Sequence, residues 1–283
     1  MPPKKAKKVI IKKAKKAVIK KDAIDKDLEI VNFYELKAVQ KHLPKSINPN
    51  FSKHHIGLFF NALLVGATGT GKSNSLLNLV KAFRKTFNHM YIFTRASEAL
   101  YDYLQDVIDP SMLTVVYGYD EFVKFDKSKM YGQSLVIFDD FVSRGINKQQ
   151  EIIDFYIRGR KLSSTIGGGC CSIYLTQSYY SVPMDVRNNC NYIFILKVPS
   201  VKNLKGIITE YGMGINTQTI KNIYDYACGG KFGYFLLLDL KESQNKIYRK
   251  NFNEYLNIAD FYEADPVTKT RTKKPICDAK EAD

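Results

Sequence analysis

At 283 residues the chain can bury a core of its own, and 45% hydrophobic with 25% charged residues excludes a disordered or fibrous protein. The net charge of +15 is lopsided: residues 1–21 hold ten lysines and no acid, so the remainder carries only +5. The richest apolar run, GLFFNALLVGA, is short and broken by Asn61, and the basic start lacks the apolar centre of a signal peptide; the chain reads as soluble and intracellular, with no integral membrane segment.

The first predicted element, residues 1–28, is a flexible arm built on an imperfect repeat, KKAKKVII at 4–11 and KKAKKAVI at 12–19. A lysine block repels itself and is expected to be disordered alone. Lys4, Lys5, Lys7, Lys8, Lys12, Lys13, Lys15 and Lys16 are candidate contacts to the phosphates of double-stranded DNA. If the arm folds on a polyanion, Ile10, Ile11, Ala14, Ala17 and Val18 share one helical face. The same residues also suit a nuclear-import signal or a solubilising tail, so a nuclear location stays open.

Residues 29–262 are predicted to form one domain, followed by a polar, flexible tail at 263–283. Between about 57 and 240 the runs LFFNALLV, MYIFT, LTVVYG, SLVIFD, CCSIYLT, YIFILKV and GYFLLLDL alternate with helix-like segments such as Ser73–Phe87 and Lys148–Leu162. Continuous apolar runs suit strands buried on both faces of a parallel sheet, and strand–helix alternation indicates an α/β fold with a mostly parallel central sheet flanked by helices. Tyr179 and Tyr180 are read as core. The five cysteines (Cys170, Cys171, Cys190, Cys228, Cys277) lack C-x-x-C spacing and are read as free, packed thiols.

The stretch GATGTGKS, Gly66 to Ser73, satisfies G-x-x-x-x-G-K-[ST] between a strand, NALLV, and an amphipathic helix. In a loop of this kind backbone amides curl around phosphate oxygens and the helix N-terminus adds partial positive charge. Gly66, Ala67, Thr68, Gly69, Thr70, Gly71, Lys72, Ser73 and Asn74 are therefore the candidate ATP-binding residues, with Lys72 for the β/γ-phosphates and Ser73 for Mg²⁺. SLVIFDD, Ser134 to Asp140, puts two acids at a strand exit, where open α/β sheets bind ligands. Asp139 is assigned to Mg²⁺ and Asp140 to the attacking water as general base, with a helix N-cap as the alternative for Asp140.

Two apolar strands lie between the phosphate loop and SLVIFDD, and a second acid follows the first. This matches the additional-strand, catalytic-acid type of P-loop NTPase; NKQQ is not a guanine-reading N-K-x-D, and no LSGGQ is present. The strand CCSIYLTQ is next along, so its exit brings Gln177 to the γ-phosphate. Arg158 and Arg160 lie on or just after a helix leaving the acidic strand, away from their own phosphate loop. An arginine there suits a finger offered to a neighbour's nucleotide, which implies a ring.

The ordered set GATGTGKS, MYIFT, LVIFDD, IIDFYIRGRKLSS, IYLTQSYYSVP and VRNN resembles the viral genome-packaging ATPases of the FtsK–HerA superfamily, in the poxvirus-type branch found in large DNA viruses and virophages. The resemblance covers roughly residues 57–200. It implies metal and water roles for Asp139 and Asp140, a γ-phosphate sensor role for Gln177, and matches to family arginines for Arg160 and Arg187; Arg158 has no firm counterpart. Lys161 stands where the family has His, and GGGC is expected to lengthen a surface loop, with no ligand for Gly167–Gly169.

The sequence thus predicts an ATP-driven double-stranded DNA translocase that packages a viral genome, working as a homo-oligomeric ring on a capsid vertex or portal protein, in the host cytoplasm (a virus factory) or the virion. Catalysis would rest on Lys72, Asp140 and Gln177 with Arg160 or Arg187 in cis or in trans. Two alternatives are a cellular-type FtsK/HerA translocase or helicase and a non-catalytic, nucleotide-switched DNA-binding virion protein.

Overall fold

The computed structural model describes residues 31–43, 46–141, 149–164, 168–212, 214–243 and 246–262. The lysine arm, the polar tail and Cys277 lie outside them. Residues 31–43 belong to a unit of their own, with a 3-10 turn at Phe33–Glu35 and a one-turn helix at Lys37–Gln40.

The second unit, from residue 44 onward, is an α/β sandwich around a nine-stranded sheet. Its strands are β1 (Asn61–Val65), β2 (His89–Thr94), β3 (Leu113–Tyr117), β4 (Gln133–Asp139), β5 (Gly169–Thr176), β6 (Tyr192–Ile195), β7 (Leu236–Asp239), β8 (Tyr248–Lys250) and β9 (Glu254–Tyr255). The spatial order is β3-β2-β4-β5-β1-β6-β7-β8-β9. The first six strands run parallel, and β7, β8 and β9 continue the sheet antiparallel.

The helices longer than one turn are α1 (Lys72–Ala82), α2 (Ala99–Val107), α3 (Tyr119–Val123), α4 (Gln150–Arg158), α5 (Met184–Asn188), α6 (Val201–Tyr211) and α7 (Thr217–Cys228). Alternate strand residues feed two separate cores, because successive side chains of a strand point to opposite faces. Leu63, Val65, Phe93, Phe138 and Tyr174 pack with α3–α7 on one face. Ala62, Leu64, Ile92, Ile137 and Ile173 pack with α1 and α2 on the other. This double coverage explains why the central strands read as unbroken apolar runs.

Three features differ from the sequence expectation. The helix predicted over Ser73–Phe87 stops at Ala82. Phe83 closes it and stacks on Phe60 at 5.6 Å, and Lys85 takes a left-handed φ of 65° as the chain turns toward β2. The run GYFLLLDL forms a strand only over Leu236–Asp239, and that strand is reversed. One crossover helix returns the chain to the entry end of the sheet, whereas α6 and α7 together return it to the exit end, so β7 must run back down. Finally, Gly169 opens β5 in a buried position, and a Cβ on Gly168 would lie 2.1 Å from Ser163 Oγ and 2.5 Å from the Gly132 carbonyl. These two glycines mark close packing, while residues 165–167, Gly167 among them, lie outside the described residues.

Tyr179 is core, as read from the sequence, but Tyr180 is 47% exposed. Cys170, Cys171, Cys190 and Cys228 are free and buried. Burial pushes the thiols of Cys170, Cys171 and Cys228 up to about 12, and that of Cys190 up as well. Among the described residues no helix is long and apolar enough to cross a membrane.

Candidate active site

The strand order brings four exits to one rim. Thr94 of β2 pairs with Asp139 of β4, Asp139 with Leu175 of β5, and Thr176 with Val65 of β1. The phosphate loop leaves β1 at this rim. The Gly66 amide donates to the Thr176 carbonyl and the Ala67 amide to the Lys197 carbonyl, each at 3.1 Å. A Cβ on Gly66 would lie 2.7 Å from Thr70 Oγ1 and 2.9 Å from Leu196 Cβ, so only glycine fits that bend. Gly69 and Gly71 adopt φ of 74° and 93°, the left-handed turns that let the amides face inward. The Ala67 carbonyl accepts from Thr70 Oγ1 at 2.8 Å and from Lys72 Nζ at 3.0 Å, so Lys72 lies back across the loop.

At the entry to α1, Ser73 Oγ donates to Glu98 Oε2 at 3.0 Å. Glu98 caps the start of α2, and one turn on, the buried hydroxyl of Tyr101 donates to Asp139 Oδ2 at 2.6 Å. One helical turn therefore holds both residues assigned to a metal. Burial pushes the Asp139 carboxyl above its ordinary range; the Tyr101 hydrogen bond opposes this, and Glu98 and Asp140 reinforce it. Burial also pulls the Lys72 ammonium down, against the attraction of Asp139, Asp140 and Glu98. Three carboxylates around one ammonium leave excess negative charge that suits a divalent cation.

The donor set fits Mg²⁺. Ser73 donates its hydroxyl hydrogen bond to Glu98, which leaves its oxygen lone pairs available to a cation. Among the described residues no three His, Cys, Asp or Glu side chains close into a metal cage. Mg²⁺ ordinarily uses one or two protein oxygens together with substrate phosphates, so no cage is required.

Asp140 is exposed at the rim with φ of 55°, a left-handed conformation that aspartate tolerates better than most residues. The segment after Phe141, where Asp140 would serve as a helix N-cap, lies outside the described residues. Gln177 follows β5 directly, and its Oε1 accepts from Thr68 Oγ1 at 2.7 Å, which joins it to the phosphate loop. Asn74 is exposed on the first turn of α1.

The arginines are elsewhere. Arg160 is exposed in the 3-10 turn Gly159–Lys161 at the entry to β5, where its carbonyl lies 3.1 Å from the position of a Cβ on Gly169. An eight-residue strand spans roughly 25 Å, so Arg160 and Gln177 stand at opposite ends of β5. Arg158 is exposed near the same end. Arg187, which the resemblance matches to a family arginine, lies on α5. Its guanidinium pairs with Glu210 and lies 4.7 Å over the Tyr179 ring. Held in this way, it braces α5 and the turn after β5 against α6.

Glu98 and Tyr101 escaped the sequence reading. The available signal was position alone: TRASEALY begins at the exit of MYIFT, at the rim where the other site residues emerge.

The model of the poxvirus A32 protein family matches residues 50–227, well over half of the chain. The chain belongs to this family. It is 26% identical over 159 residues to the DNA packaging protein OPG160 of monkeypox virus, covering 51% of each chain. The same identity over the same length relates it to the OPG160 protein of vaccinia virus (strain Copenhagen), at 51% of this chain and 56% of the relative. The chain thus spans about half the length of the curated relatives it matches. Among solved structures, the genome packaging NTPase B204 of Sulfolobus turreted icosahedral virus 2, in complex with ATP-gammaS, is 18% identical, with 71% of this chain and 100% of that one covered at a TM-score of 0.49. EssC (ATPases 2 and 3) of Geobacillus thermodenitrificans is 15% identical, with 74% and 42% covered at a TM-score of 0.46.

Proposed function

We propose that this A32-family chain is an Mg²⁺-dependent ATP hydrolase that drives double-stranded DNA into a viral capsid. The observation that carries this reading is the single rim on which the Gly66–Ser73 loop, Asp139, Asp140 and Gln177 meet. The relatives' name, DNA packaging protein, favours DNA as the track, and the Lys4–Lys16 block favours phosphate contacts along it.

In this reading the loop amides and Lys72 bind the β- and γ-phosphates and hold them for in-line attack. Ser73 and Asp139 would hold Mg²⁺, with Glu98 orienting the Ser73 hydroxyl and Tyr101 orienting the Asp139 carboxylate. The cation supplies charge neutralisation to the phosphoryl oxygens. Asp140 accepts the proton of the attacking water, and Gln177 positions that water against the γ-phosphate. Arg160, exposed at the far end of β5, is the candidate finger for a neighbouring copy's nucleotide; this requires a homo-oligomeric ring. A capsid vertex or portal protein is the docking partner, and a cytoplasmic virus factory or the virion is the place of action.

Steady-state ATP hydrolysis with and without long duplex DNA tests the proposal, with Lys72→Ala as the blank. Duplex-stimulated turnover that falls to background in Lys72→Ala is expected. Wild-type turnover in Lys72→Ala would remove the assignment of the loop, and no turnover in the wild-type protein would favour a nucleotide-switched assembly role.

A further inference from the structure

The turn that joins α7 to β7 lies outside the phosphate motif but closes against it. It reads Gly229-Gly230-Lys231-Phe232-Gly233-Tyr234. The Tyr234 amide donates to the Lys231 carbonyl at 3.3 Å, which puts Phe232 and Gly233 at the centre of a four-residue turn. Gly233 has φ of 80°, the left-handed conformation that a type II turn needs at its third position. The paired helices α6 and α7 deliver this turn to the exit end of the sheet, beside the start of α1.

Three contacts lock it there. The Gly233 carbonyl accepts from Ser75 Oγ at 3.0 Å. A Cβ on Gly233 would lie 3.0 Å from Asn74 Nδ2. A Cβ on Gly71 would lie 3.0 Å from Phe232 Cε1 and 3.1 Å from both Phe232 Cζ and Gly233 Cα. The Phe232 ring therefore rests on the last glycine of the phosphate loop, yet 68% of the residue is open to solvent. The turn is held by these contacts, one edge of the ring lies against the loop, and the remainder is exposed among the described residues.

In the nucleotide-binding reading above, the γ-phosphate points toward Gln177 and Asp139, and the rest of the nucleotide leaves on the side of the first turn of α1, where Gly71 and Asn74 meet the Phe232–Gly233 turn. We propose that Phe232 is the platform on which the purine base of the bound nucleotide stacks. This rests on the nucleotide-binding reading above and extends it to the half of the ligand that the phosphate motif does not touch. An aromatic face at the site attracts the flat base, and the locked turn lowers the entropy lost on contact.

The chain contains no tryptophan, so Phe232→Trp installs a single indole reporter at the turn. ATP should alter its emission, whereas inorganic tripolyphosphate, which has no base, should bind without doing so. Calorimetry on Phe232→Ala supplies the second arm. Base stacking of this kind predicts about tenfold weaker ATP binding, with tripolyphosphate affinity unchanged. Equal ATP affinity in Phe232→Ala and wild type, with tripolyphosphate still bound, would overturn the platform and leave the phosphate loop standing. Equal loss of both ligands in Phe232→Ala would also overturn it, by making the turn a support for the loop. Failure of wild type to bind either ligand would overturn the nucleotide-binding reading itself.

Discussion

Asp139 and Asp239 occupy matching places in the sequence, each ending an apolar strand, LVIFD in one case and FLLLD in the other. Burial pushes both carboxyls above their ordinary range. Their surroundings are otherwise opposite. Strand β4 is parallel to its neighbours, so Asp139 comes out beside Thr94 and Leu175 at the phosphate rim. Strand β7 is reversed, so Asp239 comes out beside Tyr192, at the entry end of β6. There Arg249 Nη2 meets its carboxylate at 2.6 Å, with both side chains almost wholly buried. Arg249 Nη1 also donates to the carbonyls of His54 at 3.2 Å and Phe252 at 3.0 Å. The fold itself completes the Asp239 site, while Asp139 has a tyrosine hydroxyl and an excess of neighbouring acid. Strand direction, rather than local sequence, decides which acid braces the fold and which faces a ligand.

The largest expected effect is at the sealed site. Arg249→Met leaves the Asp239 charge buried without its partner and should cost about 3–5 kcal/mol, read as a fall in the urea midpoint. Adding Asp239→Leu to that variant should restore most of the loss. A cost below about 1 kcal/mol for Arg249→Met alone would mean that water reaches the pair.

His54 probes the same region through pH. Its Nδ1 accepts the Ile56 amide at 3.0 Å. Burial first, then His55 and Arg249, lower its pKa to about 4. The ordinary value of 6.5 describes the unfolded chain, so on acidification the unfolded chain takes the proton first. The stability contribution is therefore full above pH 6.5 and is lost as pH falls toward 4. The loss is on the order of 3 kcal/mol. Urea midpoints between pH 7 and 4 should fall more steeply in wild type than in His54→Asn; parallel curves would show that His54 does not remain neutral in the folded protein.

The smallest change in stability is expected at the rim. Asp139→Asn removes a charge that burial already disfavours, so the midpoint should move by no more than about 1 kcal/mol. ATP turnover should nevertheless fall by about a hundredfold or more. A variant that unfolds would make Asp139 a brace like Asp239.

Much of the architecture was legible because the central strands carry their burial in composition. A strand covered on both faces has no polar positions to spare, so β1, β2, β4 and β5 stand out, and the residues just past them mark the rim. The reversal of β7 was hidden because strand direction depends on the helices between strands, not on the strand's own residues. Strands β8 and β9, at three and two residues, are too short to show a period. The pairing of Arg187 was hidden because its partner, Glu210, lies 23 positions away on another helix. Glu98 and Tyr101 were masked by a stretch that reads only as the start of an amphipathic helix.

The shortness of β9 limits extension of the sheet on its flank. An edge strand normally offers a ladder of free backbone groups to any passing chain. Here the ladder next to β8 ends after two exposed residues, Glu254 and Tyr255, and the first of these is charged. Sheet growth by a second molecule on that flank would gain few hydrogen bonds and would meet a carboxylate at once. That border is therefore poorly suited to fibril-like stacking at high local concentration, which leaves the five-residue strand β3 as the sheet's longer edge.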